Sequence, residues 1–324
     1  MSFIFSTHPL HPAVEAMLRA AGEFRVASAP DPETLLREGR GAAVVVVRAP
    51  IPPAFFEDAP ALRAAVRHGA GLDMIPVEAA TRAGVLVANV PAVNAPTVAE
   101  HVFLVTLALL RRFRPMDRDL RSEGWATGRA HSDQALDLGG RTMGIVGMGN
   151  VGKAVFRIAK HGFGMEVVAN SRSPQGLPEG ARFVSVDDLV STADVVVLCC
   201  PLTPETTGLI DGRRIGRMKP GAILVNVSRG SVVEDEALIA ALREGRIGGA
   251  ALDVFSTQPL PPDHSYFCFD NVIVTPHLAG ITEESMMRMG KGAADEVLRI
   301  LKGELPVNLR NPDAIELYRR RFPG

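Results

Sequence analysis

Cysteine is scarce: Cys199, Cys200 and Cys268 are the only three, an odd number with no CxxC spacing. That argues against a disulfide framework or a Cys-based metal centre, and buried, reduced thiols in a cytoplasmic protein are expected instead. No metal site is expected. Aromatic residues make up 5% of the chain, with one tryptophan. Neither sign of charge dominates, since 35 Lys and Arg stand against 36 Asp and Glu for a formal net charge of -1. The basic surplus that nucleic acid or an anionic membrane requires is therefore missing. Long apolar runs are missing too. The longest, Val102 to Leu110, is too short to span a bilayer and is interrupted by Thr106. The N-terminal MSFIFSTHP has neither a basic region nor a cleavage site, so a signal peptide is not expected. There is no internal repeat.

What is present is an α/β pattern. At 324 residues the chain exceeds one typical core and suggests about two domains. The stretch from Arg141 to Ser173 organises it. An apolar strand leads into Gly147-Met148-Gly149-Asn150-Val151-Gly152, a helix pattern follows, and Glu166 to Asn170 reads as a second strand. In such a βαβ unit the first glycine makes the tight turn and the second lets backbone approach a pyrophosphate. The third packs helix on strand. The helix N-terminus then offers N–H groups and a positive dipole end to phosphates, so a dinucleotide site is expected there.

Before this stretch, Ser2–Ser6, Phe24–Ala27, Ala42–Val47, Ala64–Arg67 and Val85–Ala88 read as five strands alternating with helices, a small parallel domain. Gly69-Ala70-Gly71 follows the fourth of them, with two glycines leaving backbone N–H groups unobstructed. Thr97 to Glu100 reads as a capping box opening an apolar helix to about Leu110. Arg111 to Asp137 reads as polar and irregular, a surface or subunit contact. After the glycine turn, strands end at Cys200-Pro201, Val227-Ser228-Arg229, Val254 and Thr275-Pro276-His277, giving six in that domain. Ligands of a doubly wound sheet lie beyond such strand ends. Thr282 starts a last long helix, and Arg319 to Arg321 reads as a solvated basic end.

Together these pieces are ordered as in a known family. HGAGLDMIPVEAATRAGVLVANVP, NAPTVAEH, GMGNVG, PLTPETTGLI, MKPGAILVNVSRG, GAALDVF and TPHLAG resemble the D-isomer-specific 2-hydroxyacid dehydrogenase family over essentially the whole chain. The resemblance implies two doubly wound parallel-sheet domains, a Rossmann cofactor domain inserted in a flavodoxin-like substrate domain. Their expected bounds are 1–98 with 293–324 for substrate and 99–292 for cofactor. It implies a homodimer and a small 2-keto or 2-hydroxy acid substrate.

It also implies roles. Arg229 would hold the substrate carboxylate and carbonyl, and His277 would supply the proton. Backbone at Ala70 and Gly71 would take the carboxylate, and Asp253 would lie beside the nicotinamide. Cys200, Pro201, Thr206, Val227, Ser228, Ala279 and Gly280, at strand ends or just beyond, complete the expected cofactor contacts. Chemistry supports the two principal roles independently: a guanidinium fork suits carboxylate oxygens, and imidazole exchanges protons near neutral pH. Arg48, at its own strand end, is a further candidate for a substrate with a second anionic group.

Two departures from the family pattern matter. Many NAD-dependent members carry Asp where this chain has Ser171. The segment Ser171-Arg172-Ser173 would instead attract a 2′-phosphate, so NADP (NADPH) is expected, with NAD as the second possibility. Gln258 stands where most members have the Glu that pairs with the catalytic histidine. Glutamine can orient an imidazole but cannot stabilise imidazolium by charge. The expected function is reduction of a glyoxylate- or hydroxypyruvate-type keto acid. The alternatives are formate-dehydrogenase-like hydride abstraction without proton transfer, which also pairs Gln with His, and a non-catalytic nucleotide sensor.

Overall fold

In the computed structural model, residues 3–323 are described. The chain divides into two compact units: residues up to Asn94 together with those from Ile281 onward, and Ala95–Gly280 between them. The divisions fall before the expected 98/99 and 292/293. The apolar helix from Ala95 buries Ala95, Ala99, Val102 and Phe103 in the second unit's core, which claims residues 95–98.

The first unit runs β1 (Phe3–Ser6), α1 (Pro12–Ala21), β2 (Phe24–Val26), α2 (Pro32–Gly39), β3 (Ala42–Val47), β4 (Ala64–Arg67), α3 (Val77–Arg82) and β5 (Leu86–Ala88). Its five strands are parallel in the order β2-β1-β3-β4-β5, the flavodoxin-like order. Val44 to Val47 are fully buried, so the β-branched run lies covered on both faces. Each such side chain contributes about 1.5–3 kcal/mol by leaving water. Asp31 caps α2 by accepting from the Thr34 N–H at 2.9 Å, with proline in the first turn, as the sequence requires.

The second unit opens with α4 (Ala95–Leu110), α5 (Phe113–Glu123) and α6 (Trp125–Ala130). Thr97 is therefore inside α4 and buried, not its cap. Pro96 sits in the first turn, where a missing N–H costs nothing. The stretch expected to be irregular is mostly helix. The unit continues with β6 (Thr142–Val146), α7 (Asn150–Phe163), β7 (Glu166–Asn170), β8 (Ala181–Phe183), α8 (Val186–Thr192), β9 (Val195–Leu198) and α9 (Gly212–Arg217). Then come β10 (Ile223–Asn226), α10 (Asp235–Arg243), β11 (Gly249–Leu252) and β12 (Val272–Val274). All seven strands are parallel, ordered β12-β11-β10-β9-β6-β7-β8. Counted from β6, this is the doubly wound order with a switch between β6 and β9. β8 is one strand more than the six expected, a short edge strand with little burial.

The chain returns to the first unit with α11 (Glu283–Leu301), capped by Thr282, and α12 (Ile315–Arg321). Glycines let α11 pack closely: a Cβ on Gly290 would lie 2.6 Å from Val14, and one on Gly292 2.5 Å from Val90. Arg321 is not a solvated end, because its guanidinium donates to the carbonyls of Ala59, Pro60, Leu62 and Ala83. Among the described residues, no helix is long and apolar enough to cross a membrane.

Candidate active site

In the second unit the glycine turn joins β6 to α7. Gly147 has φ 95°, and a Cβ there would lie 2.6 Å from the Cys200 nitrogen, so the turn rides on the chain leaving β9. A Cβ on Gly152 would meet the Gly147 oxygen at 2.1 Å, which requires glycine for helix–turn packing. Gly149 differs, because its Cβ would meet nothing within 4 Å. It caps α7 without any side-chain hydrogen bond, and it and Asn150 are exposed. No acid stands in that first turn. This is open space beside a helix N-terminus, and it fits a pyrophosphate. The Met148 side chain is buried in the core and Val151 packs against it, which leaves only their backbone for a nucleotide.

At the end of β7 the Arg172 guanidinium is exposed and makes no hydrogen bond or ion pair among the described residues. The two serines are turned inward on their own loop. Ser171 donates to the Ser173 carbonyl, and Ser173 donates to Gln175. Of the three residues expected to meet a 2′-phosphate, Arg172 is the one whose polar group is presented.

After β9, the Thr206 hydroxyl accepts from the Thr203 N–H and donates to the Pro201 carbonyl, each at 2.7 Å. It shapes that turn. Cys200 is buried with its thiol facing Ser228, and burial pushes its pKa up. Cys199 is likewise held protonated by burial, whereas Cys268 is exposed, against the expectation of three buried thiols.

After β10, the buried Asn226 ties the turn. Its Oδ1 accepts from the Ser228 N–H and hydroxyl at 3.0 and 2.9 Å, and its Nδ2 donates to the Arg229 carbonyl at 2.9 Å. Arg229 Nη1 donates to the Ser228 carbonyl at 2.6 Å. A Cβ on Gly230 would lie 1.9 Å from the Phe255 carbonyl carbon, so only glycine lets this turn lie against the segment leading to Gln258. Arg229 and Gln258 therefore stand on touching segments.

Beyond β12, His277 has φ 54°, an uncommon conformation for a non-glycine residue. The loop is held there by Asp253. This buried carboxylate accepts from the Thr275 hydroxyl at 2.6 Å, the Leu278 N–H at 2.8 Å and the Ala279 N–H at 2.9 Å. The His277 N–H itself donates to the Asp253 carbonyl at 2.9 Å. Most of the Asp253 acceptor capacity is thus spent on the loop. His101 Nε2 lies 3.3 Å from the Thr275 hydroxyl, and burial lowers its pKa.

The imidazole of His277 is exposed, with Nδ1 3.1 Å from Gln258 Oε1. Gln258 Nε2 points to the Phe255 carbonyl at 3.3 Å, an acceptor only, which leaves Oε1 for the histidine. Nδ1 must then carry a hydrogen and donate it.

In the first unit the ends of β3 and β4 gather the other expected residues. Arg67 donates from Nη1 to the Val47 and His68 carbonyls and from Nε to the Gly71 carbonyl. The N–H groups of Ala70 and Gly71 donate to nothing among the described residues, and Ala70 is exposed. Arg48 is half-buried, its backbone N–H on the Thr7 hydroxyl and its guanidinium donating to the Pro9 carbonyl, so part of its fork is already taken. His68, buried beside Arg48 and Arg67, has its pKa lowered to about 3, by burial first and then by the two cations.

Sequence reasoning missed Arg67, Asn226 and Thr275. Asn226 could have been noticed, since a polar residue closing a buried apolar strand needs a partner.

The chain matches the family described as D-isomer specific 2-hydroxyacid dehydrogenase, NAD binding domain, over residues 103–279. It is 40% identical over 288 residues to a glyoxylate reductase of Korarchaeum cryptofilum, covering 87% of this chain and 85% of that protein. Its fold matches an NADPH-dependent glyoxylate/hydroxypyruvate reductase of Sinorhizobium meliloti, solved with NADP and malonate, at TM-score 0.85 and 26% identity over 97% of each chain. An NAD-dependent formate dehydrogenase of Staphylococcus aureus, solved with NAD, matches at TM-score 0.81 and 28% identity over 94% of this chain and 96% of that one. With that glycine turn and those strand-end side chains, the chain belongs to the D-isomer specific 2-hydroxyacid dehydrogenase family and is an NAD(P)-dependent D-2-hydroxyacid dehydrogenase.

Proposed function

We propose that this dehydrogenase reduces a small 2-keto acid of the glyoxylate or hydroxypyruvate type to the D-2-hydroxy acid and prefers NADPH. The observation that carries the reading is the set of strand-end groups on one edge of the second unit: the open Gly149 turn, Arg172, Arg229 and the Gln258–His277 pair. The glyoxylate reductase of K. cryptofilum supports the substrate class.

The nicotinamide, when bound, supplies the hydride. Arg229 attracts the keto-acid oxygens and polarises the carbonyl. With Nδ1 donating to Gln258, His277 hands the proton to the new alkoxide from Nε2. Asp253 fixes the loop that aims His277, and its remaining acceptor capacity serves the carboxamide. Ala70 and Gly71 receive the carboxylate on their N–H groups, as a small concave nest does.

Arg172 carries the cofactor preference by pairing with a 2′-phosphate. Arg172→Ala is expected to weaken NADPH by about ten- to a hundredfold and leave NADH nearly unchanged, as loss of one charge-assisted bond implies. Equal losses with both would remove that role. The direct test of the whole reading is steady-state reduction of a keto-acid panel with NADPH and NADH in parallel.

The Gln258–His277 pair favours one second reading, hydride abstraction from formate without proton transfer. Release of CO2 from formate with NADP or NAD, and no keto-acid turnover, would establish it instead. A homodimer is also proposed, because Leu104, Phe113 and Trp125 are exposed on three successive helices of the second unit. A sedimentation mass near 34.6 kDa at assay concentration would contradict it. The unpaired thiols fit a cytoplasmic setting, which cell fractionation would check.

A further inference from the structure

Three consecutive carbonyls of the turn after β4 are each held by a donor. The Gly69 oxygen accepts from the Val90 N–H at 2.9 Å, the Ala70 oxygen from Asn89 Nδ2 at 2.6 Å, and the Gly71 oxygen from Arg67 Nε at 3.1 Å. In a trans peptide the C=O and the following N–H point in opposite directions. Pinning these carbonyls therefore aims the N–H groups of Ala70, Gly71 and Leu72 the other way, where none meets an acceptor among the described residues. One of the three pins comes from β4, through Arg67, and the other two from the chain after β5, through Asn89 and Val90. The middle one is a side chain, and it is buried.

The chemistry of Asn89 is specific. Its Oδ1 accepts from Arg310 Nε at 2.7 Å, and a guanidinium donates only. Its Nδ2 faces a carbonyl, which accepts only. An amide in one orientation satisfies both, whereas an ionised carboxylate, which only accepts, does not. Arg310 is anchored in turn, with its N–H on the Val87 carbonyl at 2.8 Å beside the Ala88–Leu309 bridge.

We infer that Asn89, locked by Arg310, is a positioning residue for the substrate carboxylate, setting the peptide plane that presents the Gly71 N–H. The inference rests on the proposed keto-acid reading and deepens it: the C-terminal segment tunes keto-acid affinity without touching the substrate. Removing the pin frees the Ala70–Gly71 peptide to rotate, and its N–H is then no longer preorganised for an anion.

The experiment uses the full chain with NADPH, glyoxylate as substrate and oxalate as a non-reducible carboxylate ligand. Asn89→Ala and Arg310→Met are expected to raise the KM for glyoxylate and the Kd for oxalate together. The rise should be about tenfold for Asn89→Ala and smaller for Arg310→Met, while the KM for NADPH holds. Arg310→Lys keeps a donor to Oδ1 and is expected to remain near wild type. Arg310 is exposed, so its variants report even where Asn89→Ala folds poorly.

The inference is overturned when glyoxylate and NADPH constants shift together, or when only thermal stability falls. If wild type reduces glyoxylate and the variants keep its KM, the inference fails alone. If wild type neither reduces keto acids nor binds oxalate, the proposed function fails with it.

Discussion

Gln258 and His277 are held as a pair by partners that leave no choice of direction: the Phe255 carbonyl takes the amide N–H, and the amide oxygen takes Nδ1–H. The pair orients without charge. A carboxylate at position 258 would add an attraction for the imidazolium, which raises the histidine pKa and keeps the proton donor charged to higher pH. Reduction needs the charged form, so its activity falls as pH rises through that pKa. Gln258→Glu is therefore expected to move the alkaline limb of kcat/KM upward, and coincident limbs in the two proteins would remove Gln258 from control of the proton. His277 was singled out in the sequence because it follows a readable strand, and Gln258 because it stands where the family pattern places the partner of that histidine. Asn89 was not, because what gives it meaning is Arg310, far along the chain and brought beside it only by the strand-like return against β5. Thr275 and Asp253 form a bond across two strand ends, which no local pattern encodes.

The glycine turn is an element whose three glycines do different work, and the differences can be separated. Gly147 has both a positive φ and backbone where a Cβ would go, and Gly152 has the Gly147 oxygen there. Alanine at either position is expected to destabilise the unit by at least about 2 kcal/mol. Gly149→Ala meets no protein atom within 4 Å and has an ordinary φ of −78°. It is expected to fold with the wild-type Tm and lose NADPH affinity, a split that calorimetry and cofactor titration would measure. A loss of stability in Gly149→Ala would mean that the turn is built otherwise. The spacing of this motif, flanked by buried strands, is why the sequence revealed it so clearly. α5 and α6 stayed hidden because α5 has few apolar residues to mark a face, burying only Pro115, and β8 because a three-residue exposed edge strand has no period to read.

Across the whole molecule charges nearly cancel, so its response to pH comes from particular groups. His68 is the clearest: its folded pKa lies at about 3 against an ordinary 6.5, chiefly through burial. Below 6.5 the unfolded chain binds a proton that the folded unit refuses, so stability rises with pH between about 3 and 6.5 and is lost on acidification through that window. Denaturant unfolding at about pH 5 and pH 7.5 should show a slope that His68→Gln flattens by up to about one proton. An unchanged slope would place the acid sensitivity elsewhere. The two sheets themselves were readable, because β-branched runs and strand-helix alternation are repeated signals that reinforce each other. The division at Asn94 was less so, since α4 is apolar nearly all round and carries no mark of which core it joins.

The proposed reaction is hydride delivery to the carbonyl carbon of a 2-keto acid, with Arg229 and His277 acting on the oxygen. It is tested most directly by incubating the enzyme with hydroxypyruvate and NADPH carrying deuterium at both hydrogens of the nicotinamide C4, then analysing the product by mass and chirality. One deuterium is expected at C2 of the D-hydroxy acid, and its loss, with NADPH still bound, in Arg229→Ala. Undiminished labelled product from Arg229→Ala, or no label at C2 with wild type, would contradict it.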